Sequence, residues 1–332
     1  GRESTVKVLV TSKSFGKVAP DAIEMLREHG IEVVWGSKPS MTAAEIAAEI
    51  AGCDALIVGN DTVDAGVLAA ADRLRLVHMH GTGLDAIDVT RATQKGVLVA
   101  NAPGANRNAV AELTVALMLV AARRIDRHIE ILKSGRWERT PGNEISGKTV
   151  GVLGLGNIGQ RIVELLAGFG TRVVGFDVAP DRAWAERAGV ALAASPDDAF
   201  AQAAFVVLAL SLNAHTRGYV DAHRLALMKP TAYLINTARG GLVDDAALCA
   251  ALAGKRIAGA AIDVFDPEPL PPDSPLRASG ATLTPHLAAT SVESVGNVSR
   301  IVARNVIDVL LHGRTACAVN PQALQAGTTT AD

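Results

Sequence analysis

Three short segments in the second half of the chain carry the residue types needed to pass a proton to a bound carboxylic acid. They are N-T-A-R-G-G at 236–241, F-D-P-E-P at 265–269 and T-P-H-L-A-A-T at 284–290. Arg239 offers a planar, permanently charged fork that suits a carboxylate. His286 is the side chain best suited to donate and accept a proton near neutral pH. Glu268, flanked by Pro267 and Pro269, can hydrogen-bond an imidazole and favour its charged form. Together these groups could hold an α-keto acid and protonate its carbonyl oxygen. Asp263 and Asp266 are competing acids, and residues alone do not choose among them.

Upstream lies G-L-G-N-I-G at 154–159. Such a turn is weak evidence alone, but here it follows the strand-like T-V-G-V-L at 149–153 and opens an amphipathic helix, Ile158 to Phe169. Gly154 would make the tight turn, Gly156 would admit a pyrophosphate, and Gly159 would allow close helix packing. The helix N-terminus adds N–H groups and a positive dipole end. Asp177 ends the next strand, 18 residues past Gly159, where a carboxylate accepts ribose hydroxyls. A carboxylate there repels a 2′-phosphate, and residues 178–181 (V-A-P-D) contain no arginine, so NAD is expected. G-N-E-I-S-G-K-T at 142–149 matches a P-loop letter for letter. It neither follows a strand nor opens a helix, so nucleotide hydrolysis is not expected.

The elements that must position these groups alternate between short β-rich runs and longer helical patterns, which argues for parallel sheets covered by helices. Strands are expected at 6–10, 31–35, 54–58, 74–79 and 97–99, with helices at about 20–29, 42–51, 64–71 and 88–95. Gly30, Gly52 and Gly96 fall where left-handed helix caps are needed. A second series begins at 149–153 and continues at 172–176, 205–210, 232–236, 258–262 and 282–284. One long helix is expected over 107–133, and another over about 290–312 with Val295, Val298, Val302, Val306 and Val309 near helical spacing. The tail after Pro321 lacks periodicity and reads as frayed. Two complete βα series exceed one ordinary sheet, so two domains are expected.

Composition narrows the class. Hydrophobic residues at 49% supply two cores, and a net charge of −2 leaves no global field to recruit nucleic acid or an anionic membrane. The longest apolar run, 113–122, is half of the roughly 20 residues a spanning helix needs. No secretory leader is expected, because the chain runs directly into V-K-V-L-V. Cys53, Cys249 and Cys317 are scattered and odd in number, which suggests reduced thiols and a cytoplasmic setting. His78 and His80 share a strand face but lack a nearby Cys or acid partner, so no metal is expected.

In this order and spacing, the glycine turn and the three segments resemble the D-isomer-specific 2-hydroxyacid dehydrogenases over roughly residues 5–322. The resemblance implies two doubly wound parallel-sheet α/β domains. A Rossmann NAD-binding domain, residues 104–286, would be inserted in a flavodoxin-like substrate domain made of 5–103 and 287–322. It implies catalytic roles for Arg239, Glu268 and His286, and substrate contacts from Gly81, Thr82, Gly83 and Asn106. A helix N-cap is the plainer reading of Asn106. Cofactor contacts are implied for Thr82, Gly154, Gly156, Asn157, Ile158, Gly159, Asp177, Thr216, Thr237, Ala238, Asp263, His286 and Ala289, with Asp263 facing the nicotinamide carboxamide. One departure stands out: Ser211 occupies a position where the family usually has a rigid proline, while Thr216 still matches the family's threonine a few residues on. The family dimerises through the region after Asn106, and S-G-R-W-E-R at 134–139 resembles an arm reaching the partner, so a homodimer is expected.

The substrate is less constrained. K-S-G-R-W-E-R and N-T-A-R-G-G-L-V-D resemble 3-phosphoglycerate dehydrogenase, yet V-G-N-D at 58–61 and H-M-H-G at 78–81 lack that subfamily's arginines. Lys13, His80 and Arg107 could still assemble a smaller anion site. A small unphosphorylated acid such as glyoxylate, hydroxypyruvate or pyruvate is therefore expected. Formate dehydrogenase carries glutamine where Glu268 stands. An NAD-sensing corepressor on the same fold, a binding module, is the alternative from a different class.

Overall fold

The computed structural model describes residues 5–313 and 317–326. The chain divides into two compact units, one running to Asn106 and resuming at Thr290, the other spanning Arg107–Ala289.

The first unit runs β1 (Val6–Val10), α1 (Asp21–Glu28), β2 (Ile31–Trp35), α2 (Ala43–Glu49), β3 (Ala55–Val58), α3 (Ala65–Ala70), β4 (Leu76–Met79), α4 (Val89–Gln94) and β5 (Leu98–Ala100). Its strands form one parallel sheet in the order β2-β1-β3-β4-β5, the flavodoxin-like winding. Every residue of A-L-I-V in β3 and L-V-H-M in β4 is buried, as expected for central strands covered on both faces. Gly30, Gly52 and Gly96 take φ of 73°, 74° and 71°.

The second unit opens with α5 (Arg107–Arg123) and α6 (Ile125–Lys133), then β6 (Thr149–Leu153), α7 (Asn157–Leu166), β7 (Arg172–Phe176), α8 (Arg182–Arg187) and β8 (Ala191–Leu192). It continues with α9 (Pro196–Gln202), β9 (Phe205–Leu208), α10 (Ala222–Leu227), β10 (Tyr233–Asn236), α11 (Asp245–Ala253), β11 (Gly259–Ile262) and β12 (Thr282–Leu283). The strands form a parallel sheet ordered β12-β11-β10-β9-β6-β7-β8, a Rossmann winding with one further strand. The P-loop lookalike runs straight into β6 and opens no helix.

The chain then rejoins the first unit through α12 (Val292–His312) and α13 (Ala323–Ala326). Val298, Val302, Val306 and Val309 of α12 are buried against that unit's core.

Two expectations are corrected, and one strand was not expected. The helix expected over 107–133 breaks at Arg124, which takes a left-handed φ of 51°. Asp126, just beyond the break, accepts a 2.7 Å hydrogen bond from Thr282 beside β11, fixing α6 on a new course. The tail after Pro321 is ordered through Ala326: Ala323 is buried, and α13 packs on α4. Asn320 anchors it by accepting the Val99 N–H at 2.7 Å and donating to Thr93 and the Val97 carbonyl; residues 327–332 lie outside the described residues. The strand not expected is β8, only two residues long, which leaves no alternation to detect.

Candidate active site

Parallel register brings the strand ends of the second unit level. Leu153 pairs with Leu208 and Phe176, Leu208 with Asn236, Asn236 with Ile262, and Ile262 with Leu283. The residues that follow each strand, Gly154, Asp177, Thr237 to Arg239, Asp263 and His286, therefore gather at one carboxyl edge, where open α/β sheets bind ligands.

Asn236 is fully buried and shapes the Arg239 turn with its amide. Its Oδ1 accepts the Ala238 N–H at 3.0 Å, and its Nδ2 donates to the Arg239 carbonyl at 2.9 Å. Arg239 donates from Nη1 to the Ala238 carbonyl at 2.6 Å. Gly240 then passes directly under Phe265, where any side-chain carbon would overlap the Phe265 main chain. That contact seats the F-D-P-E-P segment beside Arg239.

Within that segment, the Phe265 N–H donates to Glu268 Oε1 at 3.0 Å, and Glu268 Oε2 lies 2.7 Å from His286 Nδ1. Burial alone would push the Glu268 carboxyl up. The hydrogen bonds from His286 and Phe265, with the charges of His286 and Arg239, outweigh it and hold the group below the usual carboxylate value. Glu268 is thus ionised near neutrality. It engages Nδ1, so Nε2 is the ring nitrogen with capacity to exchange a proton.

His286 takes a φ of 53°, a left-handed conformation that costs a non-glycine residue about 1–3 kcal/mol and persists only where its surroundings over-determine it. Here Asp263 does so. Its carbonyl accepts the His286 N–H at 2.8 Å. Its carboxylate, fully buried, accepts Thr284 Oγ1 at 2.6 Å, Leu287 N–H at 2.8 Å and Ala288 N–H at 2.9 Å. Three of a carboxylate's roughly four acceptor positions are thereby filled, so the role on display for Asp263 is to hold the histidine turn.

The glycine turn fits a dinucleotide. Gly154 has φ 96° and closes on the Ala209 carbonyl, while a side chain at Gly159 would overlap the Gly154 carbonyl. A Cβ on Gly156 meets nothing within 4 Å, so space stands open over the N-terminus of α7. There the N–H groups of Asn157 and Ile158 lie unpaired within the helix. Asp177 Oδ2 accepts the Leu155 N–H at 2.8 Å, and Oδ1 accepts the Ala179 N–H at 2.9 Å. Each oxygen keeps capacity for a ribose hydroxyl.

The turn after Ser211 is braced by hydrogen bonds. Thr216 Oγ1 donates to the Ser211 carbonyl at 2.7 Å and accepts the Asn213 N–H at 2.8 Å, while Asn213 Oδ1 accepts from His215 and Thr216. Thr237 pairs its hydroxyl with Thr114 in the buried interior. Ala238 and Ala289 are half-buried at the same edge.

In the first unit, Gly81, Thr82 and Gly83 form a half-exposed turn tied to the end of β5. Ala102 N–H donates to the Gly81 carbonyl and Asn101 Nδ2 to the Thr82 carbonyl. Asn106 is buried, and its amide reaches Thr82 Oγ1 at 3.4 Å while its Oδ1 has no partner. The side chain therefore does not cap a helix, and it retains a buried polar atom in need of a ligand. His80 is hydrogen-bonded through both ring nitrogens, to Ser14 and Ser299, and His78 to the Met79 carbonyl and Asn305. Burial lowers both imidazoles to about 4, so neither is a cation at neutral pH. Arg107 is paired with Glu164 at 3.4 Å.

Asn236, Gly240 and the positioning role of Asp263 were not assigned from sequence. The N and first G of N-T-A-R-G-G carry the only local signal for two of them.

Comparison with known proteins accords with this geometry. Residues 115–288 match the family model described as D-isomer specific 2-hydroxyacid dehydrogenase, NAD binding domain. D-3-phosphoglycerate dehydrogenase of Methanocaldococcus jannaschii is 40% identical over 310 residues, 92% of this chain and 57% of that protein. The chain spans little more than half the length of that relative and of several others with the same description. Glyoxylate reductase of Thermofilum pendens is 36% identical over 96% of both chains. Among solved structures, the TT0316 protein of Thermus thermophilus superposes with a TM-score of 0.85 at 33% identity, covering 95% of this chain and all of its own. An NADPH-dependent glyoxylate/hydroxypyruvate reductase from Sinorhizobium meliloti, in complex with NADP and malonate, gives 0.84 at 29%, covering 96% and 98%.

Proposed function

The chain belongs to the D-isomer specific 2-hydroxyacid dehydrogenase family, and on that premise we propose that it interconverts a small, unphosphorylated 2-keto acid and its 2-hydroxy acid. The observation carrying this reading is the 2.7 Å pairing of His286 with an ionised Glu268, within the field of Arg239. Arg239 binds the substrate carboxylate with its planar fork. His286 Nε2 delivers a proton to the carbonyl oxygen as it becomes a hydroxyl, while Glu268 stabilises the imidazolium. In the reverse direction the same nitrogen removes the hydroxyl proton. A bound nicotinamide cofactor supplies the hydride, or takes it. Gly156, Asn157, Ile158 and Asp177 would hold that cofactor, with Asp177 favouring NAD by repelling a 2′-phosphate. Gly81, Thr82, Gly83 and Asn106 are assigned to substrate binding.

An unphosphorylated substrate is favoured by residue types in the first unit. Residues 11–14, 59–61 and 80–83 hold one cation, Lys13, and one acid, Asp61, and His80 is neutral. A phosphate bearing up to two charges needs more than that. Similarity to proteins described as 3-phosphoglycerate dehydrogenases favours the second reading, phosphohydroxypyruvate. The deciding measurement is kcat/KM for hydroxypyruvate against 3-phosphohydroxypyruvate with NADH. A preference for the phosphorylated compound overturns the substrate assignment, and no turnover on any 2-keto acid points instead to a corepressor-like binding protein.

The protomer also leaves Ile129, Leu132 and Trp137 exposed, Trp137 at 79%. Most of the apolar residues of α5 are buried within the unit, against expectation, so the uncovered surface belongs to α6 and the segment after it. We assign this surface to a homodimer contact, and a monomer in sedimentation at micromolar concentration would overturn that. Three scattered cysteines support a cytoplasmic setting. Among the described residues, no helix is long and apolar enough to cross a membrane.

A further inference from the structure

Glu268 sits on an exposed stretch, residues 266–269, yet its carboxylate must stay within hydrogen-bond reach of His286. What fixes that stretch is therefore part of how the site works. On its C-terminal side Arg277 donates to the carbonyls of Leu270 and Pro271, at 2.6 and 2.8 Å. On its N-terminal side Arg217 Nη1 meets Asp266 Oδ2 at 2.7 Å.

The Arg217 contact begins from a rigid base. Arg217 N–H bonds the Asn213 carbonyl, Gly218 N–H bonds the Gly241 carbonyl, and Val220 N–H bonds the Leu242 carbonyl. The guanidinium crosses over Gly241, where a side chain would come within 3.0 Å of Arg217 and 3.1 Å of Asp266. Both partners are open to water, 61% for Arg217 and 47% for Asp266, and such exposed pairs contribute little to stability. Stability alone gives little reason for this alignment. Its other consequence is geometric, since Asp266 is two residues from Glu268 and Arg217 adjoins Thr216.

We propose that Arg217 and Asp266 are positioning residues that hold Glu268 against His286 and couple its placement to the cofactor-facing turn at Thr216. This rests on the acid–base reading of Glu268 and His286. Besides His286, the charge that acts on Glu268 is Arg239 on the neighbouring turn, while Asp266 faces Asp245, whose carboxyl is raised to about 6 by burial and by the charges of Asp244 and Asp266.

The test compares Arg217→Met, Asp266→Asn and the double variant in the wild-type and Glu268→Gln backgrounds. Reduction of hydroxypyruvate is followed against pH. The His286 Nδ1 proton resonance, shifted downfield by its charge-assisted bond to Glu268, is recorded without substrate. Either single variant is expected to weaken that resonance, lower kcat about tenfold, and move the alkaline limb of the rate profile downward. The double variant should lose no more than the singles, and neither should shift the limb in Glu268→Gln. An unchanged resonance in Arg217→Met overturns the proposal. A wild-type resonance that is present while no 2-keto acid turns over overturns the functional reading instead.

Discussion

Gly240 and Phe265 touch main chain to main chain, with no room for a side-chain carbon between them. This contact joins the turn carrying Arg239 to the segment carrying Glu268, so the N-T-A-R-G-G motif acts beyond its arginine. Gly240→Ala is expected to push Phe265 away, at a cost of about 1–3 kcal/mol for overpacking. Misplacing a catalytic group by about 1 Å can cost 10²-fold in rate. Chemical denaturation and steady-state kinetics on one preparation would check both. Wild-type kcat in Gly240→Ala would remove the link.

Removing the Glu268 charge should alter when reduction fails, and the sign follows from the charge. The carboxyl is held below its usual value, so Glu268 is negative throughout the working range and favours the imidazolium. Glu268→Gln withdraws that preference, and the alkaline limb of reduction should move to lower pH. His286→Ala should lower turnover by about 10²–10⁴-fold. A pH–rate profile unchanged in Glu268→Gln would break the pairing.

Cofactor choice depends on Asp177. Asp177→Asn drops the charge and keeps an acceptor for only one of the Leu155 and Ala179 N–H groups, which bond different oxygens of the carboxylate. The ratio of kcat/KM for NADH over NADPH should narrow. Equal use of both cofactors by the unaltered protein would contradict the assignment, a pointed comparison given the NADPH-dependent relative in Sinorhizobium meliloti.

The first unit should be the acid-sensitive one. His78 and His80 have folded values of about 4 against 6.5 for the free side chain. Between those values the unfolded chain binds more protons, so stability is full above about 6.5 and falls as pH drops toward 4. The loss is at most about 3 kcal/mol per histidine at one pKa unit per 1.36 kcal/mol. Urea midpoints between pH 7 and 4 measure it. His78→Gln should flatten the slope while lowering the midpoint at pH 7, because Asn305 and the Met79 carbonyl lose a fitted partner.

Much of the architecture was legible from local pattern. F-V-V-L at 205–208 and A-L-I-V at 55–58 are apolar throughout, and the glycine turn lies between a strand and a helix. The features that escaped depend on residues far apart in the chain. The left-handed turn at His286 exists because Asp263 satisfies its N–H groups, and the break at Arg124 is followed by Asp126 reaching Thr282. Asn213 and Thr216 brace the turn after Ser211, an arrangement visible only once hydrogen bonds are traced. Gly240 looked like part of a motif, but its need for bare backbone came from Phe265.

The return of α12 to the first unit dictates an order of assembly. Val10, Ile57 and Leu76 share a core with Val298, Val302 and Val306, yet the whole second unit is translated between them. A nascent chain halted before Thr290 has one complete, contiguous unit and another whose sheet lacks its covering helix. The part made first is thus the part finished last. Until α12 emerges, those aliphatic side chains are open to chaperones and proteases.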